Sequence, residues 1–219
     1  MDISLLENIP LFASLSDDEK KSLSDHFTLR RYPKNSVIIN EGDDTTSLYS
    51  ILEGRTKVFL TDESGKEVVL NTQSKGEYFG EVSLFDDEPR SASVMTLENC
   101  QFAVLTKKTF IQLITDNPLL SLSIISGLTK RLRALSENVR SLALMDVYGR
   151  VARTLIELSS EQDNGDRIIS EPLTYNDLAN RVGASSKMVS RIMQDLKKGG
   201  YIVKKSPQLI IKRNLPPAW

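Results

Sequence analysis

The stretch Gly76–Val94 reads GEYFGEVSLFDDEPRSASV and decides how the first half of the chain is understood. From Gly80 it begins as an apolar, strand-like run, and it ends as one. Between those ends stand a carboxylate, Glu81, and a guanidinium nine residues later, Arg90, separated by Asp86, Asp87, Glu88 and Pro89. With strands on either side, DDEP reads as a turn. An anion placed there would find donors in Arg90, the Ser91 hydroxyl and the turn amides. A ribose or similar diol would find an acceptor in Glu81. The same two residues would also satisfy each other as an ion pair across a hairpin, and the residues alone leave both readings open.

Outward from this stretch, the chain from Phe27 to about Leu105 is a series of short β-rich runs. SVIIN, LYSIL, TKVFL, EVVLN, SASVM and QFAVL are punctuated by Gly42, Gly54, Gly65, Gly76 and Gly80. Strands at such spacing with turn residues between them predict an all-β barrel or jelly roll. DESGKE predicts a hairpin turn, with Gly65 supplying positive φ. The residues before about 27 read as helical, with Ser16 as N-cap and acids in the first turn.

Downstream, Asn117 and Pro118 open a long helix as N-cap and first helical residue. Along it Ile125, Leu128, Leu132, Leu135, Val139 and Leu142 are spaced 3, 4, 3, 4 and 3 residues apart, while Lys130, Arg131, Arg133, Glu137 and Arg140 take the other faces. A narrow seam sustained over about three heptads predicts a two-stranded coiled coil and hence a homodimer. A helix lying on its own domain would carry a broader apolar stripe.

Beyond Asp146, a helix cap, VYGRVARTLIELSS reads as a helix and EQDNGDR as a polar loop. Two short helices and a hairpin, YIVKKSPQLIIKR, complete a winged helix-turn-helix. Thr174 caps the first of the pair, Gly183 turns the chain and Ser185 caps the second. In that second helix Val189, Ile192, Met193 and Leu196 form one buried face. Ser186, Lys187, Ser190 and Arg191 lie opposite, near the N-terminus, where a recognition helix offers donors to the major groove. Arg191 suits the O6 and N7 of guanine, and Lys187 a guanine or a phosphate. Two copies would read half-sites about 34–36 Å apart on double-stranded DNA.

Charge agrees with that polarity. Residues 147–219 carry 12 Lys+Arg against 7 Asp+Glu, a net +5, whereas residues 1–146 carry 16 against 22, a net −6. Apolar residues at 40% and charged residues at 26% fit a globular chain with a real core rather than a disordered one. The single cysteine, Cys100, excludes an intramolecular disulfide and any multi-thiolate site. The start lacks the pattern of a secretory signal, and no run approaches the roughly 20 apolar residues of a membrane span. A cytoplasmic protein without membrane contact is expected. No positioned nucleophile and base, and no clustered metal ligands, point to an enzyme.

GEYFGEVSLFDDEPRSASV resembles the phosphate-binding cassette of cyclic-nucleotide-binding domains, G-E-x-x-L/A followed by P-R-S/T/A-A-x-V. Together with RLRALSENVRSLALMDVYGRVARTLIEL and SSKMVSRIM, the whole chain resembles the CRP/FNR family of bacterial transcription regulators. The resemblance implies an α+β architecture: a cyclic-nucleotide-binding β-roll over 1–116, a dimerisation helix over 117–145 and a winged helix-turn-helix over 146–219. It implies that Glu81 accepts from the ribose 2′-hydroxyl, with Gly80 giving the backbone room. Arg90 would pair with the cyclic phosphate, assisted by Ser91. It further implies RNA polymerase as a partner and cAMP as effector, with cGMP or cyclic-di-GMP as alternatives.

The chain also departs from the family pattern. Where cAMP-responsive members place a threonine–serine pair against the adenine, it has Leu135 and Ser136. Where members commonly have a glutamate in the recognition helix, it has Lys187, and Ser186 replaces an arginine. The oxygen-sensing branch needs several cysteines. The haem-sensing branch needs axial ligands, and His26, the one histidine, reads as a surface or helix-end residue.

Overall fold

The computed structural model describes residues 9–13, 15–205, 207–212 and 214–216; the helical reading of residues 1–8 lies outside them. The chain divides into two units, Met1–Thr61 with Val69–Arg133 and Asp62–Val68 with Ala134–Trp219.

Alternation builds the first unit. Strand β8 (Cys100–Thr106) lies between β1 (Thr28–Tyr32) and β3 (Ser47–Glu53), and β6 (Tyr78–Phe79) extends the sheet beyond β3. A second sheet has the order β2 (Val37–Ile39), β7 (Ser93–Thr96), β4 (Thr56–Thr61), β5 (Glu67–Gln73). Along β8, Cys100, Phe102 and Val104 point one way and Ala103 and Leu105 the other, as a period of two requires. The first set joins Ile51, Phe79 and the second sheet's Ile39 and Val94 in a core between the sheets. The second set joins Leu48, Leu52, Phe110, Leu120 and Ile124 in a core between sheet and helices. The central strands are therefore apolar on both faces.

The six expected strand runs are all present, and the turn between β4 and β5 places Gly65 at φ +79° as anticipated. Ser16 and Glu19 form a capping box for α1 (Asp17–Ser24), and the chain at its end, where His26 lies, is exposed. Two differences matter. The run expected to be strand-like after Gly80 is a one-turn helix, α2 (Val82–Phe85), because Gly80 reverses the chain at φ +82° and Glu81 takes helical angles. A helix with no counterpart in the sequence reading, α3 (Lys107–Asp116), capped by Thr106, precedes the long one.

The long helix is α4 (Pro118–Leu144). Leu120 and Ile124 are buried in the helix-side core and Leu128 packs against it, so Leu128 faces its own domain rather than the seam. The rest of the expected seam is open: Ile125, Leu132 and Val139 are 56%, 65% and 65% exposed. The helix thus carries two apolar rows. None of the described helices is long and apolar enough to cross a membrane.

In the second unit, α5 (Val147–Glu157) is capped by Asp146 as expected. EQDNGDR is not a plain loop: it joins β9 (Ser160–Glu161) to β10 (Arg167–Ile169), with Gly165 at φ +78° in the turn. Helices α6 (Tyr175–Val182) and α7 (Ser186–Lys198) follow, then β11 (Ile202–Lys205) and β12 (Gln208–Ile211). The wing is therefore a four-stranded sheet, β11-β12-β10-β9, rather than one hairpin. Arg150 donates to the carbonyls of Met145 and Val182, both at 2.8 Å, tying the residue after α4 to the end of α6.

Candidate functional site

Phe79 anchors the Gly80–Val94 segment by stacking on Tyr49 at 5.0 Å and meeting Phe102 edge-on at 5.4 Å. The chain then turns at Gly80 around the Arg90 side chain. A methyl group on Gly80 would lie 2.6 Å from the Ser47 carbonyl oxygen and 2.7 Å from Arg90 Nη1. The room that Gly80 provides in the structure is therefore room for Arg90. Gly80→Ala is expected to lower stability by about 2 kcal/mol or more, from positive-φ strain and overpacking together. Urea unfolding of the two proteins measures it.

Arg90 is only 4% exposed. Its Nε donates to Thr45 Oγ1 at 3.1 Å. Nη1 donates to the Gly80 carbonyl at 2.7 Å and to Ser83 Oγ at 2.9 Å, and Nη2 to the Ser47 carbonyl at 2.9 Å. All four partners are uncharged. Burial pushes the guanidinium below its usual pKa, opposed by Tyr49, Glu81 and Asp43 nearby. Among the described residues this buried cation is held by neutral acceptors only, and at such a place an anion gains more than it would at the surface.

Glu81 does not pair with Arg90. Its Oε1 accepts from Arg131 Nη1, and Arg131 Nη2 donates to the Tyr78 carbonyl. The Arg131 guanidinium lies over the Tyr78 ring, 4.6 Å from its centre, a cation–π contact. Glu81 is 2% exposed, and its second oxygen, Oε2, is buried without a partner among the described residues. The ion pair across a hairpin, which the sequence had left open, is therefore not the arrangement found.

These groups line one cleft of about 80 Å³, which includes Gln73, Gly80, Glu81, Ser83, Arg90, Ser91 and Arg131. Four of the sequence-derived residues, Gly80, Glu81, Arg90 and Ser91, meet there. Leu135 and Ser136 lie one turn beyond Arg131, in the second unit, and both are exposed. Arg131 was read only as a charge on an outer face. Its signal was the row Leu120, Ile124, Leu128, Arg131, at spacings of 4, 4 and 3, which places it on the inward side of α4. A larger cavity, about 380 Å³, lies in the second unit beside Tyr148 and Ile156. Among the described residues its two arginines, Arg153 and Arg167, are already paired with Glu157 and Glu161, so those residues offer no uncommitted charge.

In the second unit Thr174 and Asp177 form a capping box on α6. Gly183 ends that helix in the left-handed conformation, and Ser185 caps α7 through the Met188 amide. Val189, Ile192, Met193 and Leu196 are buried, as the periodicity required. Ser186, Lys187 and Arg191 are exposed and Ser190 is half-buried. The Ser186 hydroxyl donates to Asn176 Oδ1 at 2.8 Å, and Ser190 Oγ accepts from Gln194 Nε2 at 3.4 Å. Met188 is also exposed on α7 and was not anticipated. An apolar side chain there suits a thymine methyl group.

Comparison with known proteins bears on both halves. Residues 29–117 match the model of the cyclic nucleotide-binding domain, and residues 149–215 that of the Crp-like helix-turn-helix domain. The chain belongs to the CRP/FNR family of transcription regulators. It is 36% identical over 177 residues to the cAMP-activated global transcriptional regulator CRP of Haemophilus influenzae, covering 78% of each chain. To the cAMP-activated global transcriptional regulator Vfr of Pseudomonas aeruginosa it is 31% identical over 195 residues, covering 85% of this chain and 90% of Vfr. Its fold is similar to that of the c-di-GMP responsive global regulator CLP of Xanthomonas campestris, with a TM-score of 0.81 at 24% identity, covering 90% and 100% of the two chains. As a CRP/FNR member it is a DNA-binding regulator with a cyclic-nucleotide-binding domain.

Proposed function

We propose that the protein is a homodimeric transcription regulator whose operator affinity is gated by a 3′,5′-cyclic nucleotide, cAMP in the first instance, held in the Glu81–Arg90 cleft. The observation that carries this reading is the pair of buried groups of opposite chemistry in one cleft. Among the described residues Arg90 is a cation with neutral hydrogen-bond partners only, and Glu81 has a carboxylate oxygen without any partner. A cyclic phosphate supplies the missing anion and the ribose 2′-hydroxyl the missing donor. Arg90 has one N–H left beyond its four hydrogen bonds, and Ser91 lines the same cleft.

Arg131 connects this chemistry to α4. It holds Glu81, the acceptor expected to take the ribose, from the helix whose outer row of Ile125, Leu132, Leu135, Val139 and Leu142 is open to a second copy. A ligand that shares Glu81 with Arg131, taking Oε2 while Arg131 keeps Oε1, couples to the hold on α4, and its differential affinity for two helix arrangements shifts their populations. At the other end of α4, Arg150 links Met145 to α6. Lys187 and Arg191 then meet successive major grooves of a two-fold operator, with RNA polymerase as the downstream partner. The protein acts in the cytoplasm. Arg191→Ala is expected to weaken operator binding by about 1–3 kcal/mol, and to relax preference at one base pair per half-site. Lys187→Ala should lower affinity more evenly across sequences. Competition gel shifts with singly altered operators separate the two.

A second reading keeps DNA binding and changes the effector, cyclic-di-GMP or none, because Leu135 supplies no hydroxyl at the position where the family reads adenine. A thermal-shift panel of cAMP, cGMP and cyclic-di-GMP decides between them. A ligand present at 100 times its Kd stabilises the native protein by about 2.7 kcal/mol. Stabilisation by cAMP supports the first reading; stabilisation by cyclic-di-GMP alone, or by none of the three, supports the second.

A further inference from the structure

We infer that Gln73 reads an exocyclic amino group on the base of the bound nucleotide, an inference that rests on the cyclic-nucleotide reading of the cleft. Gln73 ends β5, is 2% exposed and lines the same cleft as Glu81 and Arg90. Its Nε2 donates to the Tyr78 carbonyl at 2.8 Å, and that carbonyl also accepts from Arg131 Nη2. The orientation of the amide is therefore fixed, because a flipped amide would set oxygen against oxygen. Its Oε1 is left buried without a partner among the described residues, as is Glu81 Oε2. A buried glutamine with half of its amide unsatisfied is a penalty that folding alone does not remove.

The cleft thus presents two orphan acceptors, one charged and one neutral. In a 3′,5′-cyclic nucleotide both O3′ and O5′ are esterified, so the 2′-hydroxyl is the sugar's single donor. The carboxylate takes it, since hydrogen bonds to an ionised acceptor are about twice as strong as those to a neutral one. The remaining donors of such a ligand are N–H groups of the base. An adenine 6-amino or a guanine 2-amino group matches what Gln73 lacks; unsubstituted purine has no N–H to offer it, and hypoxanthine has only its ring N1–H. Base recognition then has a source within the β-roll itself, apart from Leu135 and Ser136.

Isothermal titration calorimetry on the full chain tests this with four probes. These are cAMP, purine riboside 3′,5′-cyclic monophosphate (the analogue lacking the 6-amino group), cGMP, and inosine 3′,5′-cyclic monophosphate (lacking the 2-amino group). The unaltered protein is expected to bind its preferred amino-bearing nucleotide about tenfold or more tightly than the matching analogue, because a site built to bond an N–H rejects the ligand lacking it. In Gln73→Leu the two should differ by less than about twofold, through weaker binding of the parent. Equal affinity of parent and analogue for the unaltered protein overturns the inference, and so does a preference that survives Gln73→Leu. The analogue arm needs no variant, so a poorly folding Gln73→Leu leaves the test intact. Absence of binding by both cAMP and cGMP overturns the cyclic-nucleotide reading instead, and this inference falls with it.

Discussion

Replacing Arg90 with leucine is expected to abolish measurable cyclic-nucleotide binding and to destabilise the N-terminal unit at the same time. Both effects come from one side chain. The guanidinium satisfies the carbonyls of Gly80 and Ser47 and the hydroxyls of Ser83 and Thr45. Leucine leaves the half-buried Gly80 and Ser47 carbonyls and the buried Ser83 hydroxyl without that donor, at about 1–3 kcal/mol for each group left unsatisfied, whereas the exposed Thr45 hydroxyl turns to water. Several such groups bring a typical domain's stability, about 5–15 kcal/mol, near its limit. The binding loss follows from removing the cleft's buried cation. Arg90→Lys separates the two effects. Its ammonium keeps the charge but lacks the planar fork that reaches four partners at once. Denaturant unfolding of Arg90→Lys should show a smaller loss than Arg90→Leu, while calorimetry still shows nucleotide affinity reduced at least about tenfold. Unchanged unfolding and unchanged affinity in the leucine variant would contradict both roles.

A charge in the open row of α4 is expected to have an effect of similar size on assembly. Leu132 is 65% exposed in the single chain, with Ile125, Leu135 and Val139 on the same row. Burying a leucine contributes about 1.5–3 kcal/mol, and a dimer buries each position twice. Leu132→Glu removes that gain and places two carboxylates opposite one another in an apolar seam, where neither finds a partner. The dimer Kd should rise by more than about 100-fold, which sedimentation velocity over a concentration series reads directly. Operator affinity should fall with it, because a monomer loses the effective concentration that linkage gives the second half-site. A dimer Kd within about threefold of the original would place the interface elsewhere.

The open apolar row of α4 was legible, apart from Leu128, because its period of 3.5 is a local property of the sequence. The same is true of the alternation in β3 and β8, the caps Ser16, Asp146, Thr174 and Ser185, and the buried face of α7. The one-turn helix α2 was not legible. VSLF carries a strand-like apolar pattern, and the backbone reversal at Gly80 that redirects it exists to accommodate Arg90 and the Ser47 carbonyl, both distant in sequence. Leu128 fits a heptad equally well on either row, and only tertiary packing assigns it inward. Arg131 meets Glu81 across 50 residues. A charge on a helix flank looks the same in sequence whether water or a buried carboxylate faces it. Gln73 was missed for a related reason, since its burial depends on the sheet pairing rather than on its neighbours along β5.

The central claim is that a cyclic nucleotide in the Glu81–Arg90 cleft changes how α7 engages DNA. The direct measurement is the affinity of the 219-residue chain, in gel shifts at fixed salt, for a duplex selected from a random pool by the protein itself, without and with saturating cAMP. The account predicts operator binding at least about tenfold tighter with the nucleotide, and no such gain in Arg90→Lys. Equal affinity with and without cAMP, in a protein that calorimetry shows to be saturated, would contradict it.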